Sequence, residues 1–239
     1  MTIDITASSR TGCVRTNNED MLLIGELLLR NGKMSSRVAT SGSDRYLLAL
    51  ADGMGGHSCG EVASADTLSN LRFFFNDMPA GLKPGGFEEA ICGWLKSINN
   101  IACRDMGTTL VALAYYGGLF FWMNCGDSRL YRLHDGGLTQ LTKDHSLNNL
   151  MGVAKHSNLI TNCIGGGCKT SYIDIVECTD QVMPGDTMMI CSDGLTDMIS
   201  DDEIRGILSD GFDADALCQA AEDAGGRDNI SVIVARMSE

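Results

Sequence analysis

The sequence predicts an α+β domain with sheets at its centre and helices covering the outer faces. Three observations predict it. Apolar runs of strand length recur along the chain, and some are joined by glycine turns too short for a crossover. Segments with helical periodicity are grouped apart from those runs. No repeat, low-complexity tract or linker composition interrupts the pattern, so sheet and helices belong to one domain spanning residues 1–239.

The strand-like runs lie at 45–51, 108–116, 119–125, 186–191 and 230–235. Gly117-Gly118 separates the second from the third, the signature of a two-residue primed turn. Asp135-Gly136-Gly137 separates 129–133 from 138–141 in the same manner. Antiparallel hairpins are therefore the expected pairing. Among the helices, Val62, Ala65, Leu68, Leu71 and Phe75 recur at three- and four-residue spacing. After a connector at 79–86, Phe87, Ala90, Ile91, Trp94, Leu95, Ile98 and Ile101 do the same. Ser200-Asp201-Asp202-Glu203 is a capping box that opens a helix through Ile207 and Leu208. A last helix fits 213–224, with Asp213 as N-cap and Gly225 ending it.

Composition narrows the function classes. At 239 residues, 44% hydrophobic and with only 3 Pro, the chain can bury a sizeable core. Its 31 acids against 18 bases give a net charge of −13, which argues against nucleic acid or an anionic membrane as partner. No run approaches the ~18 apolar residues of a membrane span. The start, Met1-Thr2-Ile3-Asp4-Ile5-Thr6, lacks the basic and apolar stretches of a secretory signal. The expected location is the cytoplasm, with the 10 Cys reduced. No C-x-x-C pair occurs and the 4 His lack ligand spacing, so zinc is disfavoured.

Five aspartates carry the chemistry: Asp20, Asp52, Asp127, Asp193 and Asp228, each at the end of an apolar run beside glycines or amides. One such Asp is usually a cap or turn former. Five suggest that strand ends converge and collect carboxylates around hard cations, for which oxygen donors suit Mg²⁺ or Mn²⁺. At an effective dielectric of 20, two like charges ~4 Å apart cost about 4 kcal/mol, so such a cluster needs metal. Gly53 and Gly194, following Asp52 and Asp193, are expected to supply an unusual backbone angle and a close approach to the ion. Arg15 offers the planar fork that binds anionic oxygens in pairs.

The ordered set Arg15, Glu19-Asp20, Asp52-Gly53-Met54-Gly55-Gly56, Gly107-Thr108-Thr109, Gly126-Asp127-Ser128-Arg129, Lys143-Asp144-His145-Ser146, Ser192-Asp193-Gly194-Leu195 and Arg227-Asp228-Asn229 resembles the protein phosphatase 2C-type family of metal-dependent Ser/Thr phosphatases, in its bacterial-like branch. The resemblance covers roughly residues 5 to 236. It implies a central β-sandwich of two mainly antiparallel sheets flanked by helix pairs, a four-layer αββα arrangement. It also implies two Mg²⁺ or Mn²⁺ ions bridged by Asp52. The Gly53 carbonyl and Asp20 would complete one ion's shell, and Asp193 with Asp228 would hold the other. Asp127, with Asp193 and Asp197, would match a weaker third ion, and Arg15 would hold the substrate phosphate.

Plainer readings stand beside these. Asp127 could be a turn residue paired with Arg129, Asp197 a charge on a helix face, and Glu19 a rival to Asp20. Asn229 reads as a supporting or turn residue, Thr108 and Thr109 as packing beneath the site, and Asp144 and His145 as structuring a loop. The chain departs from the family at Met54, where some members carry His; His57 should not inherit that role. The segment 148–158 is also short, which should open the cleft. The implied activity is hydrolysis of phosphoserine and phosphothreonine by a water activated between two metal ions. Cys13 lacks the C-x₅-R phosphate loop that a covalent route would need. Phosphoproteins are the implied substrates, with a Ser/Thr kinase as the implied regulatory partner. The rival from another class is a catalytically silent, metal-binding pseudophosphatase acting as an adaptor.

Overall fold

A computed structural model of the chain describes residues 1–42, 44–55, 59–101, 105–152 and 159–239. The first half contains strands β1 (Thr2–Arg10), β2 (Met21–Ile24), β3 (Leu27–Leu29), β4 (Gly32–Ala39), β5 (Arg45–Ala51) and β6 (Gly53–Met54), then helices α1 (Gly60–Asp77) and α2 (Pro84–Ile101). Next come β7 (Gly107–Thr108), β8 (Leu110–Tyr116), β9 (Leu119–Cys125), β10 (Arg129–His134), β11 (Gly137–Gln140) and the short helix α3 (Leu147–Met151). The last third holds β12 (Ile164–Gly165), β13 (Asp174–Glu177), β14 (Thr187–Cys191), α4 (Asp193–Thr196), α5 (Asp201–Asp210), α6 (Ala214–Asp223) and β15 (Ile230–Ser238).

Among the described residues the strands form two six-stranded sheets, β11-β10-β14-β15-β1-β4 and β13-β9-β8-β5-β2-β3, and a small sheet β12-β7-β6. Their pairings are antiparallel. Alternation along the strands produces three cores. Leu48, Leu50, Val111 and Leu113 point between the large sheets and meet Ile3, Ile5, Met188, Ile190 and Ile233. One residue out of phase, Leu47, Ala49, Ala51, Ala112 and Ala114 face outward and pack under Leu68, Leu71, Phe75, Phe87 and Ile91 of α1 and α2. On the opposite face Tyr131, Met189, Val232 and Val234 pack under Ile204, Leu208, Leu217 and Ala221 of α5 and α6. Strands buried on both faces read as nearly continuous apolar runs, which is why β5, β8, β9, β14 and β15 were visible in the sequence. The result is the α+β, four-layer αββα sandwich.

Both anticipated hairpins form. Gly117 and Gly118 have φ of 59° and 91° between β8 and β9. Asp135 and Gly136 make the β10–β11 turn with φ of 47° and 76°, so Gly137 joins the strand. The capping box is complete: Ser200 Oγ accepts from the Glu203 N–H, and Glu203 reaches back to the Ser200 N–H. Asp213 caps α6 by accepting from the Asp215 N–H at 2.9 Å.

Two helix expectations need correction. Pro84 opens α2 inside the region expected to be connector, as suits a residue with no N–H to leave unpaired in the first turn. The inner face of α1 begins with Ser64 and Thr67 rather than Val62, which is exposed. The reason is local: Ser64 Oγ donates to the Glu19 carbonyl at 2.5 Å and ties the helix to the segment bearing Asp20.

Candidate metal centre

The acids come from loops at one edge of the sandwich, and hydrogen bonds fix each loop. Gly12 is pressed against the loop after α6: a Cβ there would stand 2.1 Å from the Asp228 carbonyl. The Cys13 N–H donates to Gly226 O at 2.7 Å, so Arg15 is delivered beside Asp228. Asn229 stitches the same region together. Its amide donates to the carbonyls of Thr11 (2.9 Å) and Asn17 (2.8 Å), and its Oδ1 accepts from the Glu19 N–H (2.8 Å). Asn18 Oδ1 accepts from the Asp20 N–H at 3.1 Å in an Asx turn. Arg30 donates through Nε to the Asp20 carbonyl (2.9 Å) and through its terminal nitrogen to Glu61 O (2.6 Å) and Ser64 Oγ (2.8 Å).

Asp52 follows β5 and is gripped by its backbone. Its carbonyl accepts from the Thr109 N–H (2.9 Å) and Thr108 Oγ1 (2.8 Å), and its N–H donates to Thr109 Oγ1 (3.0 Å). The threonines thus lie beneath the site as expected. Asp193 opens α4, and Asp127 sits in the β9–β10 connection next to Gly126. The glycines after Asp52 and Asp193 are needed for another reason than the anticipated backbone angle. Neither has positive φ; a Cβ on Gly53 would lie 2.2 Å from Gly60 O, and one on Gly194 1.9 Å from Asn229 O. Close packing of backbone on backbone demands them.

The carboxyls share one electrostatic neighbourhood. Burial raises Asp20 to about 7, and the charges of Asp193 and Asp228 add to it. Burial and then the charges of Asp20, Asp193, Asp127 and Asp228 put Asp52 well above the carboxylate range. Burial also raises Asp127 to about 7, with Asp193 the largest charge acting on it. Asp193 rises to about 6 through burial, Asp228 and Asp197, while its carboxyl is hydrogen-bonded to that of Asp52. Asp20 is fully buried; its Oδ2 accepts from Ser192 Oγ at 3.0 Å, whereas its Oδ1 is buried without a hydrogen-bond partner. Of the cations near these acids, Arg15 pairs directly with a carboxylate: its terminal nitrogen lies 2.7 Å from Asp228 Oδ2. Both side chains are partly exposed, 51% and 38%.

These residues fit hard divalent cations. The donors are all oxygens, their charges oppose one another, and Asp20 Oδ1 lacks the partner that a buried acceptor normally has. Among the described residues, no three His, Cys, Asp or Glu side chains are drawn close enough to form a finished cage. Ligation would therefore require side-chain rotation around a framework already in place.

The other predicted residues fall as follows. Arg129 does not pair with Asp127 but holds Asp144, through Nε at 3.0 and 3.1 Å and a terminal nitrogen at 2.7 Å. His145 structures the adjoining loop: its Nδ1 accepts from the Gly126 N–H and its Nε2 meets Asp174 at 3.0 Å. Asp197 ends α4 and is exposed, with its charge felt by Asp193. Glu19 is raised by burial and by Glu61, and its Oε2 would lie 2.6 Å from a Cβ on Gly60. Of the shortened segment, α3 and Gly152 are described; 153–158 lie outside the described residues, as do Gly56 and His57. Sequence reasoning missed Arg30, Ser64 and Asn18, which hold the Asp20 segment. No local pattern marks them, because their partners are carbonyls and hydroxyls distant in the chain.

Comparison with known proteins agrees with this architecture. The family model for protein phosphatase 2C matches residues 35–230. The serine/threonine protein phosphatase PstP of Mycobacterium tuberculosis is 32% identical over 244 residues, covering 96% of this chain and 44% of PstP, so the chain spans less than half the length of that relative. Protein phosphatase PhpP of Streptococcus pneumoniae is 31% identical over 260 residues, covering 99% of this chain and 98% of PhpP. The crystal structure of the PstP catalytic domain in complex with two manganese ions superposes with a TM-score of 0.76 at 31% identity, with both chains fully covered. The chain belongs to the protein phosphatase 2C family.

Proposed function

We propose that this chain is a divalent-metal-dependent protein phosphatase that hydrolyses phosphoserine and phosphothreonine, with residues 1–239 as its single catalytic domain. The observation that carries the proposal is the gathering of Asp20, Asp52, Asp127 and Asp193, each raised above its ordinary protonation range by burial first and then by neighbouring carboxylates. A fold does not maintain such repulsion without a counter-charge to receive. The two manganese ions of the related PstP domain support the same reading.

In this reading Asp20, Asp52, Asp193, Asp228 and the Gly53 carbonyl hold two Mg²⁺ or Mn²⁺ ions, and Asp127 with Asp193 and Asp197 holds a weaker third. Bound cations supply charge to the phosphate oxygens and bring the pKa of an attacking water toward neutrality. Arg15 recognises the substrate: its guanidinium exchanges part of its contact with Asp228 for two phosphate oxygens. Thr108, Thr109, Asn229 and Arg30 keep the acid-bearing backbone in register. Attack by water needs no covalent phospho-enzyme. Cys13, the thiol nearest Arg15 in sequence, turns toward the Glu222 carbonyl at 3.8 Å. The substrates are phosphoproteins, and a Ser/Thr kinase is the natural antagonist. No described helix is long and apolar enough to cross a membrane, and we place the enzyme in the cytoplasm.

The test uses the purified chain, a phosphothreonine peptide and p-nitrophenyl phosphate. EDTA should abolish turnover, Mn²⁺ or Mg²⁺ should restore it, and Asp193→Ala should remove it with the fold intact. Turnover that survives both chelation and the substitution overturns the proposal.

A further inference from the structure

Asp127 sits between two residues that are tied in different directions. On one side, Ser128 Oγ is bonded to Thr109 Oγ1 at 2.8 Å, and the same threonine oxygen accepts from the Asp52 N–H at 3.0 Å. On the other, Gly126 and His145 are bonded reciprocally. The His145 N–H donates to Gly126 O at 2.8 Å, and the Gly126 N–H donates to His145 Nδ1 at 3.2 Å. Gly126 needs that second tie. Its φ is 127°, and a Cβ there would stand 2.6 Å from Thr109 Cβ, so the position demands a residue with no side chain to brace its own peptide.

The protons around His145 are fixed by its neighbours. Asn162 is buried and pairs with the backbone of Tyr172: its Oδ1 accepts from the Tyr172 N–H at 3.1 Å, and its Nδ2 donates to the Tyr172 carbonyl at 2.8 Å. That pairing decides which end of the amide is the NH₂, and this nitrogen also lies 2.8 Å from His145 Nδ1. With Asn162 and Gly126 both donating to it, Nδ1 is the bare nitrogen and the ring proton sits on Nε2. Asp174 Oδ2, 3.0 Å from Nε2, accepts that proton's hydrogen bond. The ring itself is buried and packs against Tyr172 with centroids 4.6 Å apart.

We propose that His145 is a positioning residue for the weaker third ion: the Asp174–His145 pair holds the Gly126 peptide, and through it Asp127, in register with Asp52. The role rests on the metal-dependent phosphatase reading and adds to it a residue that sets the occupancy of one ion. His145 acts through the loop, touching neither ion nor substrate. Without Nδ1, the Gly126 and Asn162 N–H groups lose a buried acceptor, and the glycine peptide that carries Asp127 is released. Partners that orient a ligand in this way are worth about 10–100-fold in metal affinity.

The test counts ions and reads the ring directly. Nitrogen-15 NMR of the metal-free wild-type chain should show His145 protonated at Nε2 and bare at Nδ1. Titration with Mn²⁺, followed by calorimetry and electron paramagnetic resonance, should show two tight ions and a weaker third. His145→Phe keeps an aromatic ring beside Tyr172 but has no acceptor. Its third ion should bind about tenfold more weakly or worse, while the first two keep their affinity. His145→Asn, whose Oδ1 reaches the place of Nδ1, should recover most of that loss, and melting curves in EDTA check that both variants are folded. An unchanged third ion in His145→Phe, equal weakening of all three ions, or a proton on Nδ1 in the wild-type chain overturns the proposal. A wild-type chain that binds no manganese would overturn the metal-dependent reading, and this role with it.

Discussion

Asp215 and Asp193 both stand in the first turn of a short helix, and their surroundings are opposite. Asp215 accepts from Arg10 at 2.6 Å, Lys33 at 2.9 Å and Ser8 at 3.0 Å, and these bonds, Arg10 first, bring it down to about 2. Asp186 is similarly provided for: it is buried, yet meets Arg132 at 2.8 Å and His134 Nδ1 at 2.6 Å. Asp193 is pushed up to about 6 by burial and then by the charges of Asp228 and Asp197. The scaffold neutralises its acids one by one with adjacent bases. The acid cluster accumulates carboxyls with few adjacent bases, and burial with mutual repulsion raises them, as suits the proposed metal site.

Substitution on each side of that contrast should give opposite outcomes. The largest effect is expected at Asp193→Ala: turnover of a phosphopeptide should fall by at least about a thousandfold. The melting temperature measured in EDTA should hold or rise, because one of several repelling charges is gone. A clear drop in that melting temperature would place Asp193 with the scaffold acids. Asp186→Asn should do the reverse. It leaves the half-buried Arg132 without its counter-charge, at a cost of about 3 kcal/mol. For a chain of this size the melting temperature should fall by about 6–10 °C, with kcat intact well below the transition; loss of kcat at full folding would erase the distinction.

Arg15 belongs to both worlds, as the base that already touches an acid of the pocket. Arg15→Lys keeps the charge but loses the fork, and kcat/KM should fall about tenfold, chiefly through KM. An unchanged KM would mean that Arg15 serves Asp228 alone. The contrast also appears in pH dependence. A carboxyl raised in the folded state binds its proton more tightly there than in the unfolded chain, so its contribution is present below the ordinary value of 3.8 and lost as pH rises through the folded value. Metal-free protein should therefore lose stability between about pH 4 and 7, and Mn²⁺ should flatten the decline. Asp215 has the opposite sign: its contribution is present above 3.8 and disappears as pH falls toward about 2. Melting curves in EDTA that stay level from mildly acidic to neutral pH would show the pocket acids to be unstrained.

Legibility in the sequence followed the same division. β5, β8, β9, β14 and β15 were visible because both of their faces are buried in apolar layers. β1 and β4 were not. β1 turns Thr6 and Ser8 toward α6, where Thr6 Oγ1 donates to Phe212 O at 2.7 Å and Ser8 to Asp215, so hydroxyls replace the outer half of the alternation. β4 is an edge strand whose burial alternates between exposed and intermediate, and such a strand carries little apolar signal. At the site, acids beside glycines marked the loops that carry them. Asn229, Thr108 and Thr109 were legible as supports, whereas Arg30, Ser64 and Asn18 were silent, since Arg30 acts through main-chain carbonyls that any residue could provide.

β15 lies between β14 and β1, with Thr2 opposite Ser238 at one end and Arg10 opposite Ile230 at the other. While a nascent chain emerges from the ribosome, β1 waits beside β4 with an open edge, and Asp20 waits without Asp228, until this late strand is released. Such distant pairing is slow to close and leaves the young chain in need of protection from aggregation. In the proposed metal centre, cation uptake would then report the docking of β15, because Asp20 and Asp228 are brought together only where that strand is in place.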